Sequence, residues 1–297
     1  MNPIAYRRGT LEDSFAVFQV FLASITDLSE RQNVAAVTGG RDPAVMQSLW
    51  ERRRSMFEFL ARNAAQFWVA ERDGRIVAYA RSLEHDGLMD LTEFFVLPQE
   101  QSAGVGSELL ARAFQSRTAQ YRVIIATTDE RALSRYLKAG VYARFPVKNF
   151  WRKAEKVEAK TDLQFEPLSV ERDLQELNRI DRAIVAHVRP AIHRWVATTR
   201  EGFLYRRKGE TVGYGYDGGP YALLNDSDFP AALAHGESRA AERDEEFGVE
   251  VPLINKRAIH FLLERKYQIE SFTTFFMSNE PFGKFENYLC FNPIFFM

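Results

Sequence analysis

The stretch from Leu91 to Phe114, LTEFFVLPQEQSAGVGSELLARAF, constrains this chain more than any other. An apolar, aromatic-rich run (Phe94, Phe95, Val96, Leu97) is short and stops at Pro98, which predicts a strand. After a polar loop, Val105, Leu109, Leu110, Ala113 and Phe114 fall on one face of an amphipathic helix. Gly104 and Gly106 stand at the entrance to that helix. A helix N-terminus carries unpaired N–H groups and partial positive charge, so it attracts anions. Glycine removes the side chain that would hold a phosphate away from those groups. A strand, a glycine-containing turn and a helix entrance are thus expected to form an anion site.

The full string V-x-P-x-x-Q-x-x-G-x-G-x-x-L-L, from Val96 to Leu110, resembles the pyrophosphate-binding motif of the GNAT superfamily of acyl-CoA N-acyltransferases. The resemblance implies that acetyl-CoA binds through Gln101, Ser102, Ala103, Gly104, Val105, Gly106 and Ser107, with the pantetheine arm beside Phe95 and Val96. Gln101 stands where many members carry Arg.

The rest of the first half follows the same pattern. Ile4 to Arg8 predicts a strand, and Thr10 with Asp13 is a helix-start signal. Helices are expected to about Leu28 and from about Pro43 to Asn63, with a loop over 31–43. FWVAE and RIVAYARS predict a hairpin around Arg72-Asp73-Gly74. Val123–Ala126 reads as a buried strand, Asp129–Lys138 as a helix stopped at Gly140, and Val141–Trp151 as one or two last strands. This order is that of the GNAT fold, so the resemblance covers about half the chain.

At 297 residues the chain suits two domains. The charged, aperiodic run 153–163 is expected to be a linker between an N-terminal domain (1–152) and a C-terminal one (164–297). The pattern then begins again. Gly74, Val77 and Tyr79 correspond to Gly209, Val212 and Tyr214, each 135 positions on. Asp129, Ala132 and Leu137 correspond to Asn255, Ala258 and Leu263, each 126 on. Constant offsets indicate duplication. The expected fold class is α/β (α+β): two tandem GNAT-like domains, each a mixed, mostly antiparallel twisted sheet flanked by helices, a layout that some GNAT enzymes share. Leu97-Pro98 matches Phe229-Pro230 at an offset of 132, so the drop to 126 removes about the length of the glycine loop. Asp226 and Asp228 stand there instead, and like charges repel a phosphate. Leu262 takes the place that matches Tyr136. The second copy is therefore expected to bind no CoA and to serve fold, acceptor pocket or a homodimer contact.

Acyl transfer to an amine needs a proton acceptor, an oxyanion donor and an acid for the thiolate. The resemblance implies a carboxylate base on the strand before the loop, where Glu93 and Asp90 are the candidates. Three apart on a regular strand, they point to opposite faces unless a bulge intervenes. The segment from Ala132 to Gly140 resembles the family's A-x-x-x-Y-x-x-x-G helix, which implies that Tyr136 is the acid. The backbone N–H of Val96 is the expected oxyanion donor. Asp129 occupies a position where many members contact the cofactor arm through Asn. The implied partners are acetyl-CoA and a small amine or peptide acceptor. A competing reading is a non-catalytic acyl-CoA-binding or scaffold protein that kept the loop but not turnover.

The net charge of −1 gives no reason to expect nucleic acid or an anionic membrane. Cys290 stands alone, excluding an internal disulfide, and no apolar run approaches a membrane span, so a cytoplasmic location is expected. The five histidines show no metal spacing, so no metal is expected, and G-x-S-x-G and Walker motifs are absent.

Overall fold

The computed structural model describes residues 2–34, 42–101 and 104–291. By backbone contacts the chain divides into two units, residues 1–142 and 143–295. The first contains β1 (Ala5–Arg8), α1 (Ser14–Gln32), α2 (Pro43–Asn63), β2 (Gln66–Arg72), β3 (Arg75–His85), β4 (Leu88–Val96), α3 (Val105–Ala113), β5 (Tyr121–Thr127) and α4 (Glu130–Lys138). Its strands run in the order β1-β2-β3-β4-β5, antiparallel except for parallel β4 and β5.

Local chemistry explains the elements. Asp13 accepts from the Thr10 backbone N–H (2.8 Å), closing the capping box ahead of α1. That helix continues to Gln32, past the expected end near Leu28, and turns over at Asn33 in a left-handed conformation. Its apolar face (Val17, Phe18, Phe21, Leu22, Ile25) is buried, and Phe18 meets Phe57 of α2 edge-on at 5.4 Å. Each such fully buried side chain contributes on the order of 1.5–3 kcal/mol. Opposite α1 and α2, the other sheet face receives α3, where Ser82 Oγ donates to the Ala113 carbonyl (2.5 Å).

One irregularity matters for the site. Across the β3–β4 pair, Arg81 faces Glu93 but Ser82 faces Leu91, so Thr92 is an extra residue in β4. This is a β-bulge. It places Asp90 and Glu93 on one sheet face, that of Tyr79, Arg81 and Leu83, because directly opposed residues share a face.

The second unit begins with β6 (Tyr142–Lys153), a single strand of 12 residues whose second half pairs with β11. Residues 147–153 of β6 meet β11; the unit continues with β7 (Gln164–Pro167), α5 (Val170–Ile184), α6 (Pro190–Val196), β8 (Gly202–Arg207), β9 (Glu210–Tyr216), β10 (Tyr221–Leu223), α7 (Phe229–Glu242), β11 (Glu246–Pro252), α8 (Lys256–Glu264), β12 (Gln268–Ile269), β13 (Thr274–Ser278) and β14 (Tyr288–Leu289). One of its sheets runs β14-β10-β9-β8-β7; elsewhere β6 pairs with β11, β12 and β13. Residues 154–163 form no helix or strand, and Glu155 and Val157 donate backbone N–H groups to Glu237 and Ser238 of α7.

The repeat is visible in the elements. β2–β3 and β8–β9 are the two hairpins, and Asp129 and Asn255 are the N-caps of α4 and α8. Phe229-Pro230, aligned to the end of a strand, instead opens α7, where proline fits because its missing N–H is not needed in a first turn. Residues 224–228 join β10 to α7, a shorter link than 97–104 between β4 and α3. Asp228 in that link is buried and paired with Arg207 at 2.7 Å. Cys290 is buried and carries no disulfide. Among the described residues no helix is long and apolar enough to cross a membrane.

Glu250 of β11 is a buried carboxyl. Burial, and then the nearby Glu270 carboxylate, push it up to about 8, against a weak opposing bond from Asn149. A carboxyl raised in the fold keeps its full stability below its unfolded value and loses it as pH rises through the folded one. Stability is therefore expected to fall between about pH 4.5 and 8, by on the order of a few kcal/mol. Glu250→Gln should flatten that fall, as urea unfolding at pH 5 and pH 8.5 would reveal; an equal pH dependence in both proteins counts against it.

Candidate functional site

In the first unit, β4 and β5 pair only from Leu88–Tyr121 to Leu91–Ile124. Beyond that, 92–96 and 125–127 do not pair with each other, and the bulge at Thr92 marks the parting. A cavity occupies the gap, lined by α1 (Ser24, Ile25, Leu28, Arg31), β4, β5 and α4.

The backbone of β4 supplies donors to this gap. Leu97 N–H crosses to the Val77 carbonyl on the β3 side (2.9 Å). Successive residues of a strand turn their N–H groups to alternate edges, so Val96 and Phe94 point theirs into the gap and Phe95 points back to β3. The Val96 carbonyl, on the gap side, accepts from Ser24 Oγ (3.2 Å) and Gln101 Nε2 (3.0 Å). Of the two residues expected along the cofactor arm, Val96 thus presents its backbone there. Phe95 also lines the cavity, with its ring packed on Phe21 and Tyr79, and Phe94 shares the open edge.

The loop before α3 is described at Gln101 and from Gly104 onward; Ser102 and Ala103 lie outside the described residues. Gly104 caps α3 with φ +81°, a conformation that L side chains rarely adopt, and open space lies where its side chain would be. At Gly106 a Cβ would stand 3.1 Å from Phe94 Cζ and 3.4 Å from Arg135 Nε. Glycine there lets α3 approach both β4 and α4. Ser107 and Glu108 N–H groups bond back to the Gly104 carbonyl, and those of Val105 and Gly106 open the helix.

Tyr136 lies buried on α4 against Phe94, edge-on at 6.1 Å, and lines the cavity. Among the described residues its hydroxyl makes no hydrogen bond. Burial, aided by the Asp129 charge, holds the phenol well above its usual range, so it stays protonated at any ordinary pH.

Glu93 also lines the cavity and is buried. Its setting is not simply apolar. Oε1 accepts from Tyr79 (2.8 Å), and Oε2 meets Nε and a terminal nitrogen of the buried Arg81. Burial is the largest influence and leaves the carboxyl above its usual range, although the Arg81 charge and the bonds from Tyr79 and Arg81 offset part of that rise. Asp90 is fully buried on the same sheet face. Arg81 was not a candidate from sequence. Its signal was an arginine inside the apolar strand VAYARSL, where a buried cation calls for a carboxylate.

Asp129 lines the cavity and caps α4. Oδ1 accepts from Arg131 and Ala132 N–H groups as the α4 cap, and Oδ2 pairs with Arg31 (2.9 Å) and Arg131 (3.3 Å). Burial alone would raise this carboxyl, but the bonds from Arg31 and Arg131 bring it below its usual range. The lining also includes Arg135, so three guanidinium groups stand at the α1–α4 side. Metal coordination has no support among the described residues.

Residues 63–144 match the family model described as Acetyltransferase (GNAT) domain. No curated protein matches the sequence. The fold is similar to that of a Pyrococcus horikoshii protein (TM-score 0.71, 13% identity, covering 97% of this chain and 94% of that one). It is also similar to a GCN5-related N-acetyltransferase from Sphaerobacter thermophilus (0.57, 12%, 96% and 99%). A tandem GNAT protein from the clavulanic acid biosynthesis pathway shares it as well (0.57, 11%, 94% and 100%). At these identities the likeness is one of fold.

Replacing Asp129 tests its structural duty. Asp129→Ala should cost about 1–2 kcal/mol through the lost cap and ion pairs, and Asp129→Asn clearly less, because the amide oxygen still caps. Urea denaturation compares them; equal losses would assign the effect to charge alone.

Proposed function

We propose, from the premise that this chain is a GNAT-superfamily protein of two-domain layout, that it transfers an acetyl group from acetyl-CoA to a primary amine. The observation that carries this reading is the parting of β4 from β5. It sets a free backbone edge on one wall and the Tyr136 hydroxyl on the other, with the entrance of α3 alongside.

The N–H groups at the entrance of α3, those of Val105 and Gly106 with Gly104 before them, hold the pyrophosphate. The arm runs along the open edge of β4 and brings the thioester carbonyl to the Val96 N–H. The acceptor's ammonium gives one proton to Glu93, directly or through water, and Asp90 on the same face is the alternative base. The neutral nitrogen attacks the carbonyl carbon, and the Val96 N–H stabilises the oxyanion. The carbon–sulfur bond then breaks. Tyr136 protonates the departing thiolate and regains a proton from the amide nitrogen, so the products are the amide and CoA.

Contact with Arg81 makes Glu93 a weaker base than the same buried carboxylate would be alone, although burial keeps it above the ordinary carboxylate range. That favours the second reading, an acyl-CoA-binding protein without turnover, if no amine proves to be a substrate. An amine panel with acetyl-CoA separates the two.

Calorimetric titration tests the site. One CoA per chain is expected, bound by the first unit, because the second has a shorter link with Asp226 and Asp228 before α7. Gly104→Glu should abolish binding by placing a carboxylate in the phosphate position. Gly104→Ala, under the same backbone strain but uncharged, should retain most of it. Two sites per chain, or undiminished binding by folded Gly104→Glu, would refute the assignment.

Tyr136→Phe should lower kcat by about ten- to a thousandfold with little change in acetyl-CoA affinity, the scale of acid catalysis. An unaltered kcat would return Tyr136 to a packing role.

A further inference from the structure

Arg81 holds the cavity's buried carboxylate from behind. Its Nε and a terminal nitrogen contact Glu93 Oε2, and its other terminal nitrogen donates to the Phe57 carbonyl of α2 at 2.9 Å. The rings of Phe67, Phe57 and Tyr79 surround the guanidinium at 5.0, 5.1 and 5.5 Å, and its side chain is wholly inaccessible. It has no room to swing away. With Tyr79 donating to Oε1, the Glu93 carboxylate is fixed in one orientation and in contact with a permanent positive charge.

We propose that Arg81 is a positioning residue of the proton-accepting side of the site, keeping Glu93 ionised and aimed so that its strength as a base is set from the neighbouring strand. Burial alone drives a carboxyl toward its neutral form, and a neutral Glu93 accepts no proton; a guanidinium in contact opposes that shift and favours the anion. Other charged groups are farther from the carboxylate. Asp90 shares the face of β4, and α2 contributes Arg53, placed over the Phe21 ring. Toward α1 and α4 the lining carries Arg31, Asp129, Arg131, Arg135 and Tyr136, with Asp129 paired to Arg31 and Arg131. Among the described residues, Arg81 and Tyr79 are the groups that act directly on Glu93.

The consequence for catalysis rests on the acyl-transfer reading, but the state of Glu93 is measurable without an acceptor. The full chain, labelled with 13C at glutamate carboxyl carbons, would be titrated by NMR, with the Glu93 signal assigned by its loss in Glu93→Gln. The expected result is an ionised Glu93 at pH 7 in the unaltered protein and in Arg81→Lys. In Arg81→Gln the midpoint should rise by about one to three pH units. An unchanged midpoint in Arg81→Gln, or a neutral Glu93 at pH 7 in the unaltered protein, overturns the proposal. If Arg81→Gln does not fold, Arg81→Lys decides: a Glu93 still ionised at pH 7 supports it, and a Glu93 turned neutral despite the retained charge overturns it. Failure of acetyl-CoA to bind would remove the catalytic reading while leaving the Arg81–Glu93 coupling standing, so the two are told apart.

Discussion

The extra residue in β4 governs the geometry of the first unit. Without Thr92 out of register, Asp90 and Glu93 would lie on opposite faces of the sheet; with it, both face the α1–α2 side. The same irregularity comes where β4 leaves β5. Two strands that stay paired consume each other's donors, whereas two that separate offer theirs to whatever enters. Phe94 then turns toward α4 and Tyr136, and Glu93 toward β3 and Arg81. A change of one residue in register thus distributes charge to one side of the cleft and an aromatic hydroxyl to the other.

What could be read from the sequence was local. The strand–loop–helix around Gly104 and Gly106, the hairpin at Asp73-Gly74 and the helix-start signal at Thr10 each depend on a few adjacent residues, and each stands where expected. What could not be read was non-local. Nothing in the neighbourhood of Glu93 announces that Arg81, on another strand, will claim it. Thr92 looks like any strand residue, so the bulge had to be allowed for rather than located. From sequence, Asp129 is expected beside the cofactor arm; that it caps α4 and pairs with Arg31 and Arg131 depends on where those groups stand in the fold. In the second half, Phe229-Pro230 matched a strand end by offset alone, and the helix it opens depends on packing within its own unit.

The second unit repeats a motif of the first with different parts. Tyr214, the counterpart of Tyr79, also donates to a buried carboxylate held by a buried arginine. Here the carboxylate is Asp181 of α5 and the cation is Arg189, just before α6, joined by His193 and Tyr288. All five are buried. A polar cluster this fully satisfied holds helices to a sheet and specifies one arrangement of the core. In the first unit a similar cluster borders a cavity. Position relative to the opening, not residue type, separates a scaffold from a site.

Asp129 joins α1 to α4, since Arg31 reaches it from one helix and it caps the other. These helices flank the cleft on which the site is built. Arg31 is substantially exposed, 42% of its side chain, so mobile ions compete for this link over distances of about 8–10 Å at ordinary salt. The cleft therefore has a clasp that dissolved salt can loosen while the sheet beneath stays paired.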